Sequence, residues 1–551
     1  MSHIKDITIQ NYRGIKNLYQ DFGNEKFVVL IGRGDSGKST ILSAIHAVLS
    51  PSWNLSFTDL DFHNQDTNSP IIIEVTIKEL PKEFLKENKY GLYLLNDLNT
   101  KDEISDYYIK ICLTVDETLE PHWFVKARPE SSLEDKPISA TDRALLAVNY
   151  ITDYTDNQFS YNRQSPLYAL TKAKIGDGTT IERIKSSLLR SMTAEVEQDS
   201  HLTPLNTPLA DLKKTATLLG LDINELKAQI DIKENPYTSN SIALHNGILP
   251  YRLQGKGSKR LMSIAIQSEL TKQGGIVLVD ELEQGLEPDR IVTLVRILKT
   301  VEYGQVFVST HSVNVTIEAA WHNLFVMNKG ATQLQQVSQD LDACRRTNPQ
   351  ALFAKKVICC EGKTEFGFIR GIDTWLRKNN MPPFSSKGIV SVNANGGDNM
   401  YTYAIRLKQL GIDSCVFADD DKPDELFEKK KDATTLGIPL YLCEKGLCLE
   451  AQVMKDIPWS KVTEIIACNQ ENFPALNIDV DDDLNSRIIQ AMDDASQKKI
   501  RNEITQLAVS NKQPWFKHIP GGEFLAGIVM DSIDAIHDDS VLKKNIQELT
   551  R

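Results

Sequence analysis

The sequence predicts an α/β protein of two parts, each built from strands that alternate with helices. Three observations predict it. An apolar strand, Phe27 to Ile31, runs into a glycine-rich loop and then a helix. A later apolar strand, Ile276 to Val279, ends in two adjacent carboxylates. After Pro349 a second series of strands begins, and these also end in acidic residues.

Length and composition favour a multidomain globular protein. The 551 residues exceed what one hydrophobic core usually serves. The apolar and charged fractions, 41% and 25%, are ordinary for such a protein. No window reaches the ~18 uninterrupted apolar residues of a membrane span. The opening MSHIKDITIQNYRG has no apolar signal-peptide core, so we expect a cytoplasmic protein without a membrane partner.

Cysteine and charge content limit the kinds of site. The eight cysteines suit a reducing compartment, and their spacing does not suit zinc, since Cys359 and Cys360 are adjacent in an apolar run. The net charge is −12. This acidity does not exclude DNA as a partner, because the field that a partner experiences is local.

The first strand leads into a phosphate-binding loop. The segment GRGDSGKST matches G-x-x-x-x-G-K-[ST] from Gly32 to Ser39. Backbone N–H groups of such a loop and of the following helix face phosphates, because both carry partial positive charge. Lys38 is expected to reach the β and γ phosphates of ATP, and Ser39 to ligate magnesium. The predicted nucleotide-binding residues are Gly32, Arg33, Gly34, Asp35, Ser36, Gly37, Lys38, Ser39 and Thr40.

The strand Ile276 to Val279 ends in Asp280 and Glu281, which is a Walker B arrangement. Asp280 would hold the magnesium through water, and Glu281 would polarise the attacking water. The next strand, in QVFVSTHS, leads to His311, whose place in this order predicts a sensor of the γ-phosphate.

A glycine turn opens a helix just before Walker B, in LQGKGSKRLMSIAIQSEL. An ABC-type signature occupies this position. Gly255, Gly257 and Ser258 could present amides and a hydroxyl to a γ-phosphate bound on another subunit. Because the motif departs from L-S-G-G-Q, the residue that touches phosphate is left open.

These pieces resemble the ABC-type ATPase heads of the RecF, Rad50 and SMC group, for which the opening ITIQNYRGIKN is also typical. The resemblance implies an ATPase domain in two segments, 1–160 and 240–345, with Arg13 near the nucleotide. The stretch 165–240 is rich in helix formers and is predicted to be a helical insertion for subunit contact. Because such a site is completed by the signature of a second subunit, we expect a homodimer or a dimer of dimers.

In the second half, acidic residues follow two strands. Glu361 closes the strand KKVICC, and Glu365 lies one helical turn on. Asp419 and Asp421 are alternate residues at the end of the strand in SCVFADDDKPD. Ligands of open α/β sheets gather at carboxyl strand ends, and oxygen ligands of this kind suit Mg²⁺ or Mn²⁺. Glu450, in GLCLEAQV, is a further candidate metal ligand that would also follow a strand.

This pattern resembles a Toprim domain, predicted for 350–551 with C-terminal helices. An ABC-type ATPase with a helical insertion, followed by Toprim, resembles the OLD (overcoming lysogenization defect) family of nucleases over nearly the whole chain. Members cleave DNA with two metal ions held by Glu and Asp-x-Asp, which implies catalytic roles for Glu361, Asp419 and Asp421. They also use a C-terminal lysine. Lys517, in PWFKHIPGGEF, is the first choice, and Lys512 competes with it.

The resemblance implies an ATP-binding, metal-dependent DNA endonuclease or nickase gated by nucleotide. Several relatives defend bacteria against phage, alone, with a helicase-like partner, or as effectors of a retron with its reverse transcriptase and nucleic acid. The sequence does not choose among these settings. The alternative is a non-catalytic, RecF/SMC-like DNA-binding ATPase clamp with structural carboxylates. Many Toprim domains have glycine where this chain has Asp424, so metal ligation by Asp420 and Asp424 is left open.

Overall fold

The structure is a computed structural model. The residues that it describes are 2–96, 107–128, 131–152, 156–159, 165–169, 244–246, 249–271, 275–300, 304–421, 427–467, 478, 480–491, 493–509 and 514–551. Apart from 165–169, the predicted helical insertion at 165–240 lies outside these residues.

Strands and helices alternate along much of the described chain. The strands are β1 (His3–Tyr12), β2 (Ile15–Asp21), β3 (Phe27–Ile31), β4 (Ile71–Lys78), β5 (Ile109–Val115), β6 (Pro121–Val125), β7 (Lys136–Pro137), β8 (Val148–Ile151), β9 (His245–Asn246), β10 (Leu249–Pro250), β11 (Ile276–Val279), β12 (Gln305–Ser309), β13 (Leu324–Val326), β14 (Gln335–Gln336), β15 (Lys356–Cys360), β16 (Ile389–Asn393), β17 (Asp413–Ala418) and β18 (Leu440–Leu442).

The α-helices complete this pattern. They are α1 (Lys38–Leu49), α2 (Ala140–Ala144), α3 (Lys256–Thr271), α4 (Pro288–Lys299), α5 (Val313–Glu318), α6 (Asp342–Thr347), α7 (Lys363–Lys378), α8 (Asn399–Gln409), α9 (Phe427–Thr435), α10 (Leu449–Asp456), α11 (Trp459–Ala467), α12 (Asp482–Gln490), α13 (Asp494–Ala508), α14 (Ile519–Asp531) and α15 (Val541–Thr550). Among the described helices, none is both long and apolar enough to cross a membrane.

The chain divides into two compact units. The first unit comprises Met1–Val28 and Ser39–Ser309, and the second comprises Val29–Lys38 and Thr310–Arg551. The polypeptide therefore passes from one unit to the other along β3 and again at the end of the phosphate-binding loop.

An antiparallel sheet of the first unit has the strand order β2-β1-β4-β5-β6-β7. Ile7 of β1 pairs with Val75 of β4, and Ile9 pairs with Ile73. All four side chains are fully buried. Because paired residues share a face of the sheet, this register sets one apolar face against the core.

Three neighbouring parallel strands of the first unit are β8, β11 and β12. Ile276 of β11 pairs with Val148 of β8 and with Gln305 of β12. All of β11 is buried, as expected for a strand covered on both faces. The parallel register brings the carboxyl ends of β11 and β12, where Asp280 and Ser309 lie, to the same edge.

The second unit contains a parallel sheet in the order β16-β15-β17-β18. Cys360 at the end of β15 pairs with Phe417 of β17. The residues that follow these two strands, Glu361 and Asp419, therefore emerge at the same edge of the sheet.

Helices α7 and α14 pack backbone against backbone. A Cβ on Gly367 of α7 would lie 2.2 Å from the carbonyl oxygen of Ile519, and one on Gly522 of α14 would lie 2.1 Å from that of Thr364. Only glycine permits such an approach. The contact places the segment that precedes α14 beside the start of α7.

Candidate functional site

The predicted phosphate-binding loop lies between β3 and the first residues of α1. Lys38 is 5% exposed, and its Nζ donates to the carbonyl oxygens of Gly32 at 3.0 Å and Arg33 at 2.8 Å. Gly32 has a φ of 144° and Gly37 a φ of 109°. A Cβ on Gly32 would lie 2.3 Å from the carbonyl oxygen of Met327, so a larger residue does not fit there.

The outer part of the loop is open to solvent. Arg33, Gly34 and Asp35 are exposed, whereas the Ser36 side chain is buried within the loop. Thr40, the last of the predicted nucleotide-binding residues, is half-buried in α1.

Two serines surround the Walker B aspartate. Ser39, which ends the loop motif, donates from Oγ to Oδ1 of Asp280 at 2.9 Å. Ser309, the last residue of β12, also donates to Oδ1 of Asp280. The same Ser309 Oγ accepts from the backbone N–H of Glu281 at 2.9 Å. Asp280 is thus placed beside the predicted magnesium-binding hydroxyl of Ser39.

The Walker B backbone is also held by an arginine to which the sequence analysis gave no role in this site. Arg260 of α3 donates to the carbonyl oxygens of both Asp280 and Glu281. Glu281 has a φ of 48°, in the left-handed region, and its side chain is exposed. Local sequence offered no signal for Arg260, since a basic residue in an amphipathic helix usually faces solvent.

The predicted signature residues lie at the start of α3. Gly255 and Ser258 are exposed, and a Cβ on Gly255 would have open space around it. Gly257 differs, because a Cβ there would lie 2.5 Å from the carbonyl oxygen of Gly285. Close packing against Gly285 in the same unit therefore explains why residue 257 must be glycine.

Two other predicted residues of the ATPase part have defined positions. His311 is exposed and follows β12 by two residues. Arg13, with a φ of 48°, forms an ion pair with Asp61 at 2.8 Å and donates to Oγ of Ser43 at 3.1 Å. Ser43 lies in α1, so Arg13 is anchored to the helix that the phosphate-binding loop begins.

Glu361 and Glu365 lie at the junction of β15 and α7. Glu361 follows β15 directly, and its N–H donates to the carbonyl oxygen of Phe417 at 3.4 Å. Glu365 is in the first turn of α7, where its Oε2 accepts from the N–H of Gly362 at 2.8 Å. This bond satisfies an N–H at the helix start and turns the Glu365 carboxylate back toward the strand end.

Asp419 and Glu450 face them from two further elements. Asp419 follows β17, and its Oδ1 accepts from the N–H of Leu449 at 2.6 Å. Glu450 is buried in the first turn of α10 and does not directly follow a strand, which corrects the prediction of its element. Oγ1 of Thr364 donates to Oε1 of Glu450 at 3.4 Å.

These four carboxylates interact electrostatically. Burial raises the pKa of Glu365 to about 7, with further contributions from Glu450 and Glu361. Burial also raises the pKa of Asp419 to about 9, followed by the charges of Glu365, Glu450 and Glu361. At neutral pH the carboxyl groups at this sheet edge therefore cannot all be ionised unless a cation compensates their negative charge.

The arrangement fits a divalent cation by its chemistry, since carboxylate oxygens suit Mg²⁺ or Mn²⁺ and a cation relieves their mutual repulsion. Among the residues that the structure describes, no three His, Cys, Asp or Glu side chains lie close enough together to hold a metal ion. The four carboxylates share an electrostatic environment rather than a ready coordination sphere.

The remaining acidic candidates behave differently. Asp421 is exposed. Asp420, for which the sequence left metal ligation open, accepts a hydrogen bond from Nζ of Lys430. Asp424 lies outside the described residues.

Lys517 is exposed, and the residue before it is linked to this cluster through Thr364. The carbonyl oxygen of Phe516 accepts from Oγ1 of Thr364 at 3.4 Å, the same hydroxyl that bonds Glu450. His518 caps α14 by accepting from the N–H of Gly521. The competing candidate, Lys512, lies outside the described residues.

The sequence analysis did not single out Tyr401, which is fully buried on α8. Its hydroxyl has no hydrogen-bond partner among the described residues. Burial raises the pKa of Tyr401 above its ordinary range, and Asp420 and Glu361 raise it further. A tyrosine on the apolar face of an amphipathic helix is usually a core residue, so no local signal distinguishes Tyr401.

Two family models match the chain. A model of the AAA ATPase domain matches residues 3–316, which is more than half of the chain. A model of the overcoming lysogenization defect protein-like Toprim domain matches residues 352–421. A comparison with curated proteins finds no significant match.

Similar solved structures include SMC heads and RecF. The crystal structure of the SMC head bound to the C-winged helix domain of ScpA has 16% identity and a TM-score of 0.36, and covers 61% of this chain and 98% of that chain. The SMC head with an extended coiled coil, bound to the C-terminal domain of ScpA, from Pyrococcus furiosus has 15% identity and a TM-score of 0.37, covering 62% and 98%. The recombination mediator protein RecF with ATP has 14% identity and a TM-score of 0.35, covering 61% and 99%.

The family matches and the parallel sheets confirm the predicted α/β class, with a P-loop ATPase part followed by a Toprim part. The order of the two domains is that of the resemblance inferred from the motifs. The chain therefore belongs to the AAA ATPase domain family and, with its OLD-like Toprim domain, matches the OLD (overcoming lysogenization defect) family of nucleases.

Proposed function

We propose that the chain is an ATP-binding, divalent-metal-dependent DNA endonuclease or nickase whose cleavage is gated by nucleotide. The observation that carries the proposal is the carboxylate cluster at the ends of β15 and β17, within a chain that has an OLD-like Toprim domain. The cluster contains four carboxylates, at two strand ends and two helix starts: Glu361, Glu365, Asp419 and Glu450. Repulsion between their negative charges favours the binding of a cation.

The carboxylates would hold the cation from several sides. Glu361 and Asp419 stand at adjacent strand ends, and Glu365 and Glu450 stand at helix starts. Asp421, exposed two residues beyond Asp419, would contribute from the solvent side. Bound Mg²⁺ or Mn²⁺ supplies an activated water and neutralises the phosphate oxygens of DNA.

Lys517 would act on the phosphate rather than on the metal. Its side chain is exposed, so the ammonium group is accessible to a DNA backbone. The Thr364 hydroxyl fixes the adjacent Phe516 carbonyl beside the carboxylates. Placed in this way, Lys517 would stabilise the negative charge that develops on the phosphate during cleavage.

The N-terminal residues would bind and hydrolyse ATP. Lys38 would neutralise the phosphates, and Ser39 with Asp280 would hold magnesium, since their side chains are already hydrogen-bonded to each other. Glu281 would polarise the attacking water, and His311 would sense the γ-phosphate. Gly255 and Ser258, exposed at the start of α3, would contact the nucleotide of a second subunit.

We further propose that this nuclease acts in bacterial defence against phage. Its working form would be a homodimer or a dimer of dimers. It would act alone, with a helicase-like protein, or with a retron reverse transcriptase and its nucleic acid.

Cleavage of supercoiled plasmid by the purified full chain tests the proposal. We expect nicked or linear product with Mg²⁺ or Mn²⁺ and none with EDTA. ATP, ADP and a non-hydrolysable ATP analogue should give different rates, because nucleotide controls the cleavage domain. Plasmid binding without any cleavage across these conditions would instead favour the DNA-binding clamp.

A further inference from the structure

The backbone of Glu281 is held in an unfavourable conformation. Its φ of 48° lies in the left-handed region, which residues with a Cβ rarely adopt. Such a conformation persists only when the surrounding structure imposes it, and it is concentrated at functional sites. Glu281 directly follows the Walker B aspartate, so this backbone sets the direction of the proposed water-polarising carboxylate.

Two side chains impose the conformation. The N–H of Glu281 donates to Oγ of Ser309 at 2.9 Å. On the carbonyl side, the Arg260 guanidinium donates to the oxygen of Glu281 at 3.0 Å and also to that of Asp280. A further bond from Arg260 to the carbonyl oxygen of Thr152, at 2.9 Å, fixes the guanidinium itself.

Arg260 is 3% exposed, so these bonds form away from water. Hydrogen bonds from a charged donor are the stronger kind, and a planar guanidinium can satisfy several carbonyls at fixed angles. A lysine has one donor centre and cannot bond three carbonyls in this geometry.

We propose that Arg260 is a positioning residue for ATP hydrolysis, which holds the backbone of Asp280 and Glu281 so that the Glu281 carboxylate points at the attacking water. This inference rests on the proposed role of Glu281. Arg260 does not touch nucleotide itself, and its effect falls on the hydrolytic step rather than on ATP binding.

Arg260 also lies close in the chain to the predicted signature residues at the start of α3. It lies about one helical turn after Gly257 in α3, whose start carries the residues proposed to meet the nucleotide of a second subunit. A shift of this helix moves the guanidinium and with it the Walker B carbonyls. Arg260 therefore links engagement of one subunit's signature to the hydrolytic geometry of that subunit's own ATP site.

Arg143 provides a matched control in the same unit. It is 2% exposed, and its guanidinium also donates to three backbone carbonyls, those of Ser50 at 2.7 Å, Ile138 at 2.8 Å and Ser52 at 2.8 Å. These carbonyls do not belong to Walker B. Replacing either arginine by methionine removes the same chemistry from a buried site.

The experiment compares Arg260→Met, Arg260→Lys and Arg143→Met in the full chain. For each we measure ATP affinity, single-turnover ATP hydrolysis, Tm, and hydrogen exchange of the Walker B peptide without nucleotide. Both Arg260 variants should bind ATP within ~3-fold of the parent and hydrolyse it at least ~30-fold more slowly. Exchange at the Glu281 amide should rise in the Arg260 variants, because its local opening becomes easier.

Arg143→Met should lower Tm by a similar amount and keep hydrolysis within ~3-fold of the parent. The proposal is overturned if Arg260→Met hydrolyses ATP at the parental rate. It is also overturned if both methionine variants lose hydrolysis in the same proportion to their loss of Tm. If Arg260→Met does not fold, Arg260→Lys and Ser309→Ala decide the same question.

Glu281→Gln distinguishes failure of this proposal from failure of the proposed water-polarising role of Glu281. If that variant hydrolyses ATP at the parental rate, the role of Glu281 is wrong and the catalytic part of the proposal falls with it. The exchange measurement then still shows whether Arg260 holds the Walker B backbone.

Discussion

Glu365 and Asp419 bind a proton more tightly than an ordinary carboxylate does. Their pKa values of about 7 and about 9 arise first from burial and then from neighbouring carboxylates. In the unfolded chain both groups would titrate near their ordinary values of about 4. The folded protein therefore binds more protons than the unfolded chain between about pH 4 and pH 9.

This difference fixes the sign of a pH effect. Stability falls as pH rises wherever the folded state binds more protons. We expect the Tm of the metal-free protein to fall from pH 5 to pH 9, and Asp419→Asn to raise it at pH 8 by about 2–4 °C. Thermal unfolding in EDTA measures this. Glu428→Gln, at an exposed acid of the same unit, is the control and should leave the profile unchanged.

The carboxylates should be needed for cleavage and not for ATP hydrolysis. Glu361→Ala, or Asp419→Ala combined with Asp421→Ala, should slow plasmid cleavage at least ~100-fold, because loss of a ligand removes both the activated water and the cation that neutralises charge on the phosphate. Lys517→Ala holds no metal and should slow it less, by about 10-fold. Parental cleavage without Glu361 and both aspartates would leave the clamp hypothesis standing.

The two residues of the ATP site should fail in different ways. Lys38→Ala removes the cationic partner of the phosphates and should weaken ATP binding about 10–100-fold. Glu281→Gln keeps that partner and should bind ATP without hydrolysing it, because only the water-polarising group is lost. Equilibrium nucleotide binding and phosphate release distinguish them. Turnover at the parental rate in the Gln variant would contradict the Walker B assignment.

At the scale of elements, close packing of α7 against α14 links the carboxylates to Lys517. Glu365 lies in the first turn of α7, and Lys517 lies just before α14. The absence of a Cβ at Gly367 and Gly522 lets the two backbones touch. A small change in this spacing should therefore separate the lysine from the carboxylates.

Gly522→Ala tests this contact. Its Cβ would lie 2.1 Å from the carbonyl oxygen of Thr364, so the helices must move apart, at a cost of about 1–3 kcal/mol. We expect a lower Tm and slower plasmid cleavage, with ATP hydrolysis retained. Gly527→Ala, in the same helix but with nothing within 4 Å of its Cβ, should be neutral or slightly stabilising. Equal losses from both substitutions would show that the helix contact does not position the site.

At the scale of the whole molecule, we propose that the ATP site is complete only in an oligomer. The start of α3 presents Ser258 to solvent, where a second subunit could bring its nucleotide. Lys38 of one subunit and the signature of another should then act on the same ATP.

Mixed oligomers test this arrangement. Lys38→Ala and Ser258→Arg should each hydrolyse ATP poorly alone, and mixing them should restore part of the activity, because a heterodimer contains one intact site. Ser258 is preferred to Gly257 because the latter packs against Gly285 within its own unit. Static light scattering reports the oligomeric state. A strictly monomeric particle with full ATP turnover would rule the shared site out.

The sequence by itself determined the features that depend on neighbours along the chain. The phosphate-binding loop needs glycines at 32 and 37, and β11 needs an apolar run before Asp280. These are local requirements of backbone geometry and burial, so they appear as motifs. The strand ends that carry Glu361 and Asp419 were predictable for the same reason.

Only the tertiary structure decided which side chains meet across distant segments. It placed Ser309 and Arg260 on the Walker B backbone, and joined Glu450 to Phe516 through Thr364. It also engaged Asp420 with Lys430 and left Asp421 exposed. Such contacts depend on sheet register and helix packing between residues far apart in sequence, and no local pattern of residue types encodes that geometry.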